Sequence, residues 1–103
     1  MLGNWARGDG KARVVVEPCG EDFCAINTWI RPDTKDEHVG DKLVMKVKPD
    51  QPSHWTGTAF DPQRNLSYNM TVSVQSKTMT TNGCVLGGLL CKDMGWTRLS
   101  SAK

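Results

Sequence analysis

The chain has 103 residues, a net charge of +2 and only 20 residues of Leu, Ile, Val and Phe combined, which suits one domain with a lean core. Its charges are of mixed sign with no basic block, which argues against nucleic acid or an anionic membrane as the partner. No stretch approaches the ~20 apolar residues of a membrane-spanning helix, and residues 1–10 are polar and glycine-rich, unlike a signal sequence.

Four Trp and five Met add buried area that the aliphatic count misses. Helical periodicity is nearly absent, because Gly, Pro or a period of two interrupts every long stretch. The first strands are expected over Gly3–Arg7, Lys11–Glu17 and Phe23–Ile30, separated by turns at Gly8-Asp9-Gly10 and Gly20-Glu21-Asp22. Arg31–Gly40 reads as the one long irregular connection. Lys42–Lys48 then sets Leu43, Met45 and Val47 on one side and three lysines on the other. A turn at Pro49–Pro52 leads to a strand over Ser53–Phe60, and a turn at Asp61–Asn65 leads to Leu66–Val74, which alternates apolar and polar without a break. Lys77–Cys84, the Gly87-Gly88 turn and Leu89–Leu99, broken near Gly95, complete the chain. Strands recurring every ~8 to 12 residues have the rhythm of an all-β sandwich or barrel.

Four cysteines in so short a chain point to an oxidising compartment. Neither Cys19…Cys24 nor Cys84…Cys91 has zinc-ribbon or redox spacing, and His38 and His54 lie far from both pairs in sequence. No metal site is expected. Folding at Gly87-Gly88 sets Cys84 opposite Cys91, and a turn centred on Glu21-Asp22 sets Cys19 opposite Cys24. Directly opposed residues lie ~4.5 to 5.5 Å apart, within disulfide reach. Chain entropy would reward long-range pairing more, about 4 against about 2 to 2.5 kcal/mol, so geometry alone favours the local Cys19–Cys24 and Cys84–Cys91 pairs.

Catalytic motifs are missing: there is no nucleophile elbow, zinc-protease helix motif, P-loop or dinucleotide fingerprint. The carboxylates cluster in turns, where they cap backbone, and His54 has no evident acid–base partner. The expectation is a non-enzyme without cofactors.

Gly3-x-Trp5, Cys19-Gly20-x-x-x-Cys24, Trp55-Thr56-Gly57, Asp61-Pro62, Tyr68, Gly83-Cys84 and Trp96-Thr97-Arg98 together resemble the bacterial domain of unknown function family 2147. The likeness spans nearly the whole chain. It implies a lipocalin-like (calycin) barrel of eight antiparallel strands in a meander, exported to the periplasm or secreted. By that likeness Trp5 packs beneath Arg98, with Gly3 easing entry into the first strand. A barrel closes by joining its first and last strands, and a guanidinium over an indole helps fix such a junction.

The inner face is expected to gather Met45, Val47, Trp55, Tyr68, Met70 and Val72. That lining suits an apolar ligand, although the same residue types make a closed core, and an eight-stranded barrel is wide enough for either. A filled interior is slightly favoured over a pocket. Two functions follow: a monomeric barrel binding a small apolar or amphipathic ligand, or an envelope protein-interaction module with a filled core, using Arg31–Gly40 and Pro49–Pro52 as contacts. Stacking of single-stranded nucleic acid would need a continuous positive groove that this charge pattern lacks.

Overall fold

In the computed structural model, residues 1–85 and 90–99 are described. Eight strands follow one another as β1 (Gly3–Arg7), β2 (Ala12–Cys19), β3 (Asp22–Ile30), β4 (Lys42–Gln51), β5 (His54–Asp61), β6 (Leu66–Val74), β7 (Thr78–Val85) and β8 (Cys91–Arg98). Each pairs antiparallel with its sequence neighbour, and β8 returns to β1, so the sheet is a closed meander barrel. Of the two architectures that the strand rhythm allows, the barrel is the one formed. No helix long and apolar enough to cross a membrane occurs among the described residues.

Closure rests on a short register: Trp5 opposite Arg98, Ala6 opposite Thr97 and Arg7 opposite Trp96. The Arg98 guanidinium lies 4.2 Å from the Trp5 ring centroid. It also donates from Nη1 to the Leu2 carbonyl at 2.8 Å. Trp5 is fully buried, and its Nε1–H donates to the Met1 carbonyl at 2.9 Å. Gly3 has a φ of +120°, and a Cβ there would come within 2.9 Å of Arg98 Nη1. The glycine therefore satisfies the backbone angle and also leaves room for the guanidinium.

Alternation along the strands separates an inner from an outer face. Trp5, Val14, Val16, Met45, Val47, Ala59, Met70, Val72 and Met79 form the buried cluster inside. One irregularity flips this alternation. A register shift between Arg13 and Val14, the latter facing Asn27, leaves Thr28 as the bulged residue and turns Trp29 outward opposite Arg13. The Arg13 guanidinium then lies 5.3 Å from the Trp29 ring on the outside wall.

Several local expectations shift. The turn after β2 is Gly20-Glu21, because Cys19 pairs with Asp22. Cys24 faces Glu17, so the Cys19–Cys24 bridge crosses diagonally, with a Cα separation of 5.8 Å. Gly20 at φ +67° explains the earlier turn. The expected Pro49–Pro52 turn is partly strand: β4 continues to Gln51 through a bulge beside Pro49, and Pro52-Ser53 makes the turn. Proline lacks an N–H for the ladder, so pairing breaks register there. β8 is unbroken at Gly95, whose carbonyl accepts a hydrogen bond from the Gly8 N–H at 2.7 Å while its residue pairs with Thr80. Cys84 does face Cys91, and they are bonded. The proposed Gly87-Gly88 turn lies outside the described residues. Both bridges lie on the outer wall, leaving the interior to β-strand side chains.

Gly57 faces Val47 and Met70, and a Cβ there would fall 2.1 Å from the Lys46 carbonyl oxygen. Backbone atoms cannot yield as a side-chain tip can. Gly57→Ala is expected to cost about 1 to 3 kcal/mol, read as a lower urea midpoint with an unchanged m-value. Arg98→Met is expected to cost about 0.5 to 2 kcal/mol through the lost indole contact, with a matching change in Trp fluorescence. An unaltered unfolding midpoint in either variant would contradict the packing described.

Candidate functional site

The two ends of the barrel differ. At the end where β1 begins and β4 finishes, the buried Trp5 and Val47 and the partly buried Trp55 make an apolar floor, and Met1 at the same end lines the space above it. Above it the interior is not filled. A cavity of about 340 Å³ opens toward the far end, walled by Val14, Val16, Met45, Met70, Val72 and Met79. Small residues make the space, since Ala25, Ala59 and Gly83 occupy inward positions at its waist. A Cβ added to Gly83 would meet nothing within 4 Å. The slight preference for a filled core is therefore reversed.

Of the six interior residues expected from the sequence, Met45, Tyr68, Met70 and Val72 line this cavity. Val47 and Trp55 also belong to the core, but they pack in the floor below it. Sequence reasoning missed Met79 on β7 and Met94 and Trp96 on β8, which continue the wall beside β6. Trp96 donates from Nε1 to Thr81 Oγ1 at 3.1 Å, which fixes the indole against that wall.

Charged groups ring the mouth. Arg7, at the end of β1, makes a two-pronged contact with Glu37, Nη1 to Oε1 at 2.7 Å and Nη2 to Oε2 at 2.9 Å. Its Nε also donates to both oxygens of Asp9, at 3.0 and 3.1 Å. Across the mouth, Arg64 donates to Asp61 at 3.0 Å and to the Asp36 carbonyl, and lies 3.7 Å from Asp41. Glu37, Asp36 and Asp41 all belong to the connection between β3 and β4. Two arginines from opposite sides thus hold this connection over the opening. Backbone bonds help, from Asn27 N–H to Asp41 O at 2.9 Å and Gly40 N–H to Asn27 O at 2.8 Å.

Asp61 is the buried charged group among the described residues, 8% exposed. It accepts from the Gln63 and Arg64 amides at 3.0 and 3.2 Å, and from Gln63 Nε2 at 2.7 Å. Gln63 in turn exchanges two 2.8 Å bonds with the Lys42 backbone. Asp61 is thus a turn cap, the role that acids in turns usually have. Burial works against its charge, but the Gln63 and Arg64 bonds outweigh that and hold its carboxyl below the usual range. The Glu37 carboxyl is also lowered, chiefly by the Arg7 hydrogen bonds, with burial opposing.

His54 pairs with Asp50 on the β4–β5 hairpin, at the closed end and away from the cavity. That partner escaped the sequence reading because the expected turn separated the two. No cluster of three His, Cys, Asp or Glu able to hold a metal occurs among the described residues. No cysteine there is free.

The model of a family described as uncharacterised proteins conserved in bacteria, DUF2147, matches residues 3–98. No curated protein gives a match. Among solved structures, a redesigned β-barrel aligns with a TM-score of 0.62 at 16% identity, covering 98% of this chain and 92% of that one. That similarity speaks to fold alone.

The lowered Glu37 carboxyl sets the direction of a pH effect. A depressed folded-state value contributes stability above the unfolded value of about 4.3, and that stability is lost as pH falls through the folded value. The Gly40 amide is therefore expected to lose hydrogen-exchange protection, corrected for intrinsic rate, as pH falls below that unfolded value of about 4.3. Glu37→Gln should show the loosening already at neutral pH. Protection that is flat with pH and unmoved in the variant would mean that Arg7 does not hold the connection.

Proposed function

The chain belongs to this bacterial family, DUF2147, and from that premise we propose that it is a non-enzymatic, exported, monomeric barrel that binds a small apolar or amphipathic molecule. The observation that supports this is the cavity of about 340 Å³ above a packed floor. It lies at the low end of the ~300 to 1,000 Å³ typical of small-molecule sites. Below the charged mouth its wall is mainly apolar, with methionines able to adapt to a ligand's shape. Charges gather at the mouth and none of the floor residues is charged, an arrangement suited to admitting a molecule tail first.

Export is supported by the two bridges, Cys19–Cys24 and Cys84–Cys91, since disulfides persist in oxidising compartments. The rival function, an envelope protein-docking module, was tied to a filled core and has less support once the cavity is present.

At about 30 Å³ per liquid-packed group, the space takes on the order of ten non-hydrogen atoms. Straight-chain 1-alkanols of six to twelve carbons, titrated calorimetrically, should therefore gain affinity about fourfold per methylene, the ratio for ~0.8 kcal/mol each, and level off near ten. Gly83→Phe should remove that binding and leave the far-ultraviolet spectrum unchanged, because the ring fills space that the backbone already allows. Absence of saturable heat for every alkanol would overturn the proposal, and so would undiminished binding by the Phe variant.

A further inference from the structure

We infer that the cavity selects amphiphiles with a single anionic head group, held by the Lys92 ammonium and the Tyr68 hydroxyl at the mouth. This rests on the ligand-binding reading above and narrows it. Alternation along β8 puts Lys92 on the inner face with Met94 and Trp96, and its side chain borders both the cavity and the polar vestibule outside it. Tyr68, at the start of β6, borders the same two spaces.

The cationic donors at the mouth differ in whether they have partners. Arg7 is matched by Glu37 and Asp9, and Arg64 by Asp61 and Asp41. Neither guanidinium offers an unmatched charge to a ligand. Three lysines at the mouth, Lys35, Lys42 and Lys92, have no carboxylate within 4 Å among the described residues, and of these three Lys92 is the one that borders both the cavity and the vestibule. The Tyr68 hydroxyl likewise makes no hydrogen bond there. Two donors without acceptors, on one stretch of wall, are complementary to an acceptor-rich group carrying negative charge.

The register brings them together. Tyr68 faces Val85 and Met70 faces Gly83, while Gly83 faces Lys92. One strand separates the two donors, a lateral distance of about 10 Å at the usual strand spacing, which their side chains can bridge toward a shared point. The intervening Gly83 presents no side chain to block that point. A tail would then run down past Met70 toward Val72, away from water. A cationic head would be repelled by the Lys92 charge, and a neutral head would leave that exposed ammonium to water and gain no charge pairing from it.

Decanoate, 1-decanol and decylamine share one tail length and differ in head charge, so calorimetric titration of the three separates the two claims. The expected order is decanoate at least tenfold tighter than decanol, with decylamine weakest. Lys92→Met should erase the decanoate advantage while leaving decanol affinity within twofold. Tyr68→Phe should cost decanoate a few-fold. Rising salt should weaken decanoate and not decanol. Binding of all three with equal affinity, or an undiminished decanoate advantage in Lys92→Met, overturns the head-group assignment and leaves the cavity reading standing. Failure of all three to bind overturns both.

Discussion

The barrel depends on the junction of β1 with β8. Every other seam joins sequence neighbours, where a turn brings the strands together at little entropic cost. The closing seam joins the two ends of the chain, and its register extends over only three residue pairs. Arg98 compensates for that brevity by acting twice, over the Trp5 ring and on the Leu2 carbonyl. Gly3 is favoured chiefly by its φ of +120°, and a side chain there would in addition crowd the guanidinium tip. Without closure there is no inside, and the alternation that buries Met45, Met70 and Val72 would have nothing to face.

Closure gives one packed and one open end, and electrostatics keeps them different. Pairing Arg7 with Glu37 and Arg64 with Asp61 satisfies charge at the rim, where water still reaches one side of each pair. Moving such pairs inward would cost desolvation that their attraction seldom repays. The rim is therefore the place where a thin-cored barrel can carry charge, and the β3–β4 connection is tied down there rather than packed on an apolar face.

How much of this was legible in the sequence follows from the range of the interactions. Leu66–Val74 could be bounded to the residue because its alternation is unbroken and both flanks carry turn signals. The limits of β1 were equally visible, with Gly3 at one end and a glycine turn at the other. Cys84–Cys91 followed from hairpin geometry, whereas the diagonal of Cys19–Cys24 did not, because the turn's centre lay one residue earlier. The inward parity of Tyr68, Met70 and Val72 was readable. The cavity beside them was not, since a void depends on which small residues face one another across the barrel. The Arg7–Glu37 pair spans thirty positions, and no local pattern marks it. The Thr28 bulge reversed Trp29 by a single inserted residue, a change that hydrophobic period cannot detect.

The waist of the barrel shows a choice between stability and space. Filling an apolar void stabilises a protein by the transfer and contact energy of the added atoms, and Gly83 has both the room and the backbone conformation for a side chain. The chain nevertheless places Gly83, Ala59 and Ala25 around that level, while larger residues fill the floor. A core of so few aliphatic residues can least afford to leave such contacts unmade. The two outer-wall disulfides offset this by constraining the unfolded chain, a contribution that needs no interior volume. Cross-links outside and space inside are thus linked features: the first lets the interior stay open without the fold depending on its being full.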